Sequence, residues 1–265
     1  MPLGSLSISN NPIPLFASPY TTGLNTFTGI SALAVAYRTS CENVRHLVPE
    51  MLELENEPLI TAWIVTYDMS SVGSYNEYVH AVEVTYHGEK FNYCLSLILD
   101  NEAAIFSGRE VFGFPKTFRK VVFERSTGTG IFLGQVEKPE GRPLVRFGFT
   151  PSTKLDSLMN VNKRRTLNLR IIPSPVHGMP PSVKELVLCH LEMTGGETWL
   201  GTGSISFPET MEYHPLHKLQ VSRYEDSFYI HNASVVLHPP ETTTQHFFPC
   251  QCDLIILTMC KQAYT

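Results

Sequence analysis

Hydrophobic positions recur along this chain mostly in short runs of strand length, and only once at helical spacing. Residues 29–37 form a compact apolar run, the pattern of a buried strand. Residues 58–68 are rich in Ile, Val, Trp and Tyr. Residues 78–86 and 91–99 are similar, and His87-Gly88-Glu89-Lys90 between them predicts a hairpin. Further strands are predicted over 118–125, 130–137, 144–149, 166–172, 183–193, 199–207, 227–237 and 254–259. Gly128-Thr129-Gly130, Pro139-Glu140-Gly141 and Gly195-Gly196 supply turn signals between them. About a dozen strands so closely spaced predict a mainly β fold, either a barrel or two curved sheets.

The helical exception is brief. Thr39-Ser40-Cys41-Glu42 has the form of a capping box, Val44, Leu47 and Val48 follow at helical spacing, and Pro49 should end the helix. Residues 1–28 form an irregular lead-in expected to wrap a surface. No repeat, low-complexity block or linker divides residues 1–265, which are therefore expected to form one domain.

Composition narrows the function. Charged residues make up 17%, below the usual quarter, which predicts a large apolar cavity or surface. A net charge of −5 leaves no electrostatic footprint for nucleic acid. Residues 1–37 contain no Lys or Arg, so the basic start of a secretory signal is missing. Pro12, Pro14 and Pro19 break the same stretch, so no membrane-spanning run is expected there. A cytoplasmic location with free thiols is the expectation for Cys41, Cys94, Cys189, Cys250, Cys252 and Cys260. Cys250 and Cys252, with His246 and Cys260 nearby, lack a second ligand pair and are expected to pack rather than bind metal. Lys163-Arg164-Arg165 is expected to be a solvated turn or a subunit contact rather than a phosphate site.

Residues 100–116 stand apart. Gly108, Arg109, Glu110, Gly113, Pro115 and Lys116 fall within nine residues, among Ile105, Phe106, Val111, Phe112 and Phe114. Apolar surroundings desolvate an amine and disfavour its charged form. A neutral amine attacks carbonyls and forms Schiff bases, and acetoacetate decarboxylase is a well-known case of a lysine so activated. Residues 108–116 resemble the active-site signature of the acetoacetate decarboxylase family. Tyr37-Arg38-Thr39, Val48-Pro49-Glu50, Tyr75-Asn76-Glu77 and Leu99-Asp100-Asn101-Glu102 resemble further family segments in order. So do Arg170-Ile171-Ile172-Pro173, Lys184-Glu185-Leu186 and Trp199-Leu200-Gly201, and the likeness covers roughly residues 30–240.

The resemblance implies a closed, cone-like, double-layered β barrel with a few peripheral helices, assembled as a homo-oligomer. It implies that Lys116 forms the Schiff base, with Glu77 near the reacting carbon and Arg38 holding a substrate carboxylate. Arg109 and Glu110 belong to the signature, either touching substrate or bracing the loop. Thr117 stands where many relatives carry a second lysine, and Ala62 where the family has a second carboxylate. Phe112, Phe114 and Ala62 would then give an apolar lining suited to a larger β-keto acid, of the kind polyketide-like secondary metabolism yields. The expected activity is a carboxy-lyase that needs no metal or organic cofactor. Aldol or dehydration chemistry on the same lysine, and a silent ligand-binding barrel, are the alternatives.

Overall fold

The computed structural model describes residues 3–125, 128–155, 164–208, 214–240 and 243–244. Among them thirteen strands form one sheet that closes on itself. The ring consists of β1 (Asn25–Arg38), β2 (Leu59–Tyr67), β4 (Tyr75–Tyr86), β5 (Glu89–Leu99), β10 (Thr166–Ile172), β11 (Val183–Ser206) and β12 (Arg223–His238), which returns to β1. Closure depends on a short parallel contact between β5 and β10, Asn92 opposite Thr166 and Tyr93 opposite Leu167. The ring's other pairs are antiparallel, and the β4–β5 turn at His87-Gly88, with φ of 50° and 79°, is the tight hairpin the sequence predicts.

A second layer grows from the far half of β11. It runs through β9 (Pro143–Leu155) and β8 (Phe132–Glu137) to β7 (Lys120–Arg125), which folds back against β2 and β4. The mainly β, closed-barrel architecture is the one expected. Two short strands, β3 (Met69–Ser70) and β13 (Thr243–Thr244), edge the sheet, and β6 (Lys116–Phe118) lies parallel to β5.

Two cores result. One fills the space between ring and outer layer, where Leu33, Ile60, Ile64 and Tyr78 meet Val136, Val145 and Phe147. The other lies inside the ring and includes Ile30, Ala32, Trp63, Val65, Tyr75 and Leu97. The ring strands are thus covered on both faces, so their sequences are apolar at successive positions rather than alternating.

Three local expectations change. Residues 183–193 and 199–207 are one strand, because Gly195 and Gly196 take positive φ (66° and 84°) and bend β11 instead of ending it. The early helix is one turn, α1 (Cys41–Val44), capped by Ser40 and continued as a 3-10 turn over Arg45–Leu47. An unexpected helix, α2 (Glu102–Glu110), follows β5; Asn101 caps it, its Oδ1 accepting from the Ala104 amide at 2.9 Å. The predicted strand at 254–259 and the cluster of His246, Cys250, Cys252 and Cys260 lie outside the described residues. No helix among the described residues is long and apolar enough to cross a membrane.

Candidate active site

Lys116 begins β6, opposite Leu97 of β5, and its side chain enters the ring with 9% exposure. The preceding segment exists to place it. The Phe114 amide donates to the Gly108 carbonyl at 2.9 Å, and the Leu97 amide to the Pro115 carbonyl at 3.3 Å. Gly113 turns with φ of 70°, where a Cβ would lie 2.8 Å from that of Arg170. Gly108 lets the lysine cross α2: a Cβ there would sit 2.4 Å from the Lys116 Cδ and 2.7 Å from its Cε.

Gly108→Ala is therefore expected to improve helix propensity by about 1 kcal/mol and still damage the site. The displaced amine should lower kcat by roughly a hundredfold, since ångström misplacements cost that much. Steady-state kinetics and a thermal melt together check it; full activity would show that the close approach is not needed.

Glu77 comes from β4, paired with Val65 of β2 and Leu99 of β5. It is 3% exposed, and its Oε1 lies 3.0 Å from the Lys116 Nζ, an ion pair without hydrogen-bond alignment. Its Oε2 accepts from the Tyr67 hydroxyl at 3.0 Å. Burial, then the Glu77 charge, keep the Tyr67 phenol well above its ordinary pKa, so Tyr67 remains a donor. The amine also faces aromatic rings, 5.5 Å from the Phe114 centroid and 6.0 Å from that of Tyr75.

These groups border a cavity of about 160 Å³ inside the ring. Most of its remaining lining is apolar: Phe27, Ile30 and Ala32 from β1, Trp63 and Val65 from β2, Leu191 and Met193 from β11, and Val235 and Leu237 from β12, with Arg164 and Thr166 adding polar groups. Cys94 also faces it, with burial pushing its thiol well above the ordinary range, so it offers no thiolate nucleophile. A buried amine beside a carboxylate in a largely apolar cavity can form an imine and exchange protons over one short contact.

Residues 12–242 match the sequence model of the acetoacetate decarboxylase (ADC) family. The chain belongs to that family. A relative named decarboxylase DEC1, from Cochliobolus heterostrophus, is 37% identical over 85% of this chain and 91% of its own. The acetoacetate decarboxylase of Clostridium botulinum is 29% identical over 82% and 88%. The solved acetoacetate decarboxylase of Legionella pneumophila superposes with a TM-score of 0.78 at 22% identity, over 91% of this chain and 98% of that one.

In this family member several expected site residues lie elsewhere. Arg38 does not reach the cavity. It ends β1 six positions beyond Ala32, and its guanidinium is held by Glu55 Oε2 at 2.9 Å and Glu225 Oε1 at 3.2 Å. Ala62 faces the outer core; alternation along β2 turns Trp63 inward instead. Arg109 and Glu110 do not line the cavity. Arg109 donates to the Lys116 carbonyl at 3.1 Å, and Glu110 accepts from the Tyr20 hydroxyl at 2.5 Å, pinning the lead-in against α2. Both border an outer groove beside Phe118. Phe114 does line the cavity, whereas Phe112 packs behind it and lines a small adjoining space. Thr117 points away from the cavity into the outer groove, as the residue after an inward lysine on a strand must.

Two residues that the sequence did not assign to the site belong to it. Tyr67 holds Glu77, and Arg164, in an exposed bend as expected, also borders the cavity. Tyr67 had a usable signal, since it is on the same face of β2 as Trp63 and Val65. Among the described residues no group of three or more His, Cys, Asp or Glu side chains is placed to hold a metal.

Proposed function

We propose that this protein is a Schiff-base decarboxylase of a β-keto acid with a larger apolar body than acetoacetate. The observation that carries the reading is the Lys116–Glu77 pair, 3.0 Å apart and buried in an apolar cavity. Glu77 takes a proton from the ammonium, and the neutral Nζ attacks the ketone carbon. Water leaves to give an iminium, whose charge the facing rings of Phe114 and Tyr75 help to stabilise. The bond to the carboxylate breaks, its electrons move toward the iminium nitrogen, and carbon dioxide departs. Glu77 has by then returned its proton to the departing water, so the proton that the enamine carbon gains comes from solvent, relayed through Glu77, and hydrolysis of the iminium restores the lysine.

Family membership supports this chemistry, as do relatives that are themselves named decarboxylases. The substrate's apolar body follows from the walls: β1 presents the cavity with Phe27, Ile30 and Ala32 and no charge. We also read the protein as a cytoplasmic homo-oligomer. Buried free thiols at Cys94 and Cys189 fit a reducing compartment, and exposed Phe118, beside the outer groove, offers apolar surface to a second copy.

Borohydride treatment during incubation with a panel of β-keto acids, followed by mass spectrometry, tests the reading. A stable adduct on Lys116 together with released carbon dioxide is expected. An adduct without carbon dioxide would instead favour aldol or dehydration chemistry on the same lysine, and no adduct with any ketone a silent binding barrel.

A further inference from the structure

Arg164 and Lys116 border the same cavity from different ends. Along β5, Lys116 is level with Leu97 and Thr166 with Asn92, a separation of five residues or ~16 Å. Arg164 lies two positions further from Lys116 than Thr166 does. Even with both long side chains turned toward each other, several ångströms of apolar wall separate amine and guanidinium. A β-keto carboxylate sits one carbon from its ketone, so a substrate bound at Lys116 cannot bring that carboxylate to Arg164.

The environment of Arg164 leaves it free to take an anion. Its Nη1 contacts Glu83 Oε2, a carboxylate whose side chain is only 6% exposed. Glu83 already has a second cation, for Lys90 Nζ lies 2.5 Å from its Oε1. Lys90 also contacts Glu55 Oε1 at 2.8 Å, so the cations here are matched by carboxylates, and what Arg164 offers a ligand is the N–H donors that its contact with Glu83 leaves over. A guanidinium has five N–H donors in a fixed fork, and the Arg164 side chain, 40% exposed, reaches both cavity and solvent. Glu83 holds the guanidinium at the cavity edge.

We infer that Arg164 reads a second anionic group at the far end of the substrate. The substrate class is then a keto acid with an apolar middle, held along Leu191, and a carboxylate or similar anion remote from the reacting carbonyl. The inference rests on the keto-acid reading of Lys116 only for the identity of the near end.

The test uses ligands that cannot react: a saturated straight-chain monocarboxylate and the dicarboxylate of the same length. Binding to the full-length protein is followed by calorimetry and by fluorescence of Trp63, which lines the cavity. The dicarboxylate should bind at least about tenfold more tightly, the worth of one charge-assisted contact. Arg164→Gln should collapse that ratio toward one, while Arg164→Lys should keep part of it. Equal affinities in the wild type, or a ratio that survives Arg164→Gln, would overturn the inference. If Arg164→Gln binds neither ligand, Arg164→Lys decides: a ratio kept at least in part supports the charge reading and one that falls to unity refutes it. Because neither ligand forms an imine, a failure of Lys116 chemistry leaves this result intact.

Discussion

Lys116→Arg should abolish imine trapping and lower kcat by at least about ten-thousandfold, as loss of a covalent nucleophile does elsewhere. The substitution is chosen because it keeps the positive charge opposite Glu77, 3.0 Å away in the native site. Removing the charge would leave a buried carboxylate unpaired, at about 3–5 kcal/mol, and would confuse catalysis with folding. A guanidinium stays protonated at any working pH and is a poor nucleophile. Circular dichroism should show the native fold, while borohydride and a small diketone should leave the variant unlabelled. Labelling equal to wild type would mean that another amine carries the chemistry.

Acid should weaken the fold through a residue remote from the cavity. His80 is fully buried in the core between the layers, with its Nε2 2.9 Å from the Tyr37 hydroxyl and its Nδ1 2.6 Å from that of Tyr78. Tyr37 gives its proton to the Leu219 carbonyl at 3.3 Å, so it accepts from His80 Nε2–H, and Tyr78 donates to Nδ1. Burial pushes the His80 pKa down from 6.5 to about 3. The unfolded chain therefore takes up this proton first as pH falls. The contribution is complete above the unfolded value, declines below about 6.5, and is exhausted near about 3. Between about pH 7.5 and about pH 4.5 the loss amounts to ~3 kcal/mol. Urea unfolding of wild type and His80→Gln at both pH values isolates it, because the carboxylates titrate alike in the two proteins. A variant that loses as much stability in acid as wild type would remove His80 as the cause.

The strands and the lysine segment were legible because their signals are local. Apolar runs bounded by Gly and Pro mark strands whatever they pack against, and the run of residues 59–67 is recognisable as β2 without its partners. Gly108, Arg109 and Lys116 act on one another within nine residues, so their spacing alone records a constraint that the folded segment then explains. Helix α2, in that same stretch, is not legible. Its Asn101 cap is visible, but nine residues with a glycine near the end leave little periodicity to detect.

Which way each side chain faces could not be read, and that decided most of the site. A strand shows its inward parity only when one face is wet. In β2 both faces are dry, so Ala62 and Trp63 look alike in sequence, and the second layer alone sends Ala62 outward. Arg38 has the residue type for a carboxylate ligand, yet its place at the end of β1, between Glu55 and Glu225, commits it to another network. Arg164 is the opposite case: a basic run marks a solvated turn until β10 closes the ring against β5 and carries it to the cavity. The sequence by itself thus determined the strand content and the lysine with its immediate bracing, because these depend on neighbours along the chain. Only the closed, double-layered barrel decided which distant residues share the cavity with that lysine, since closure sets both the facing and the level of every side chain on the ring.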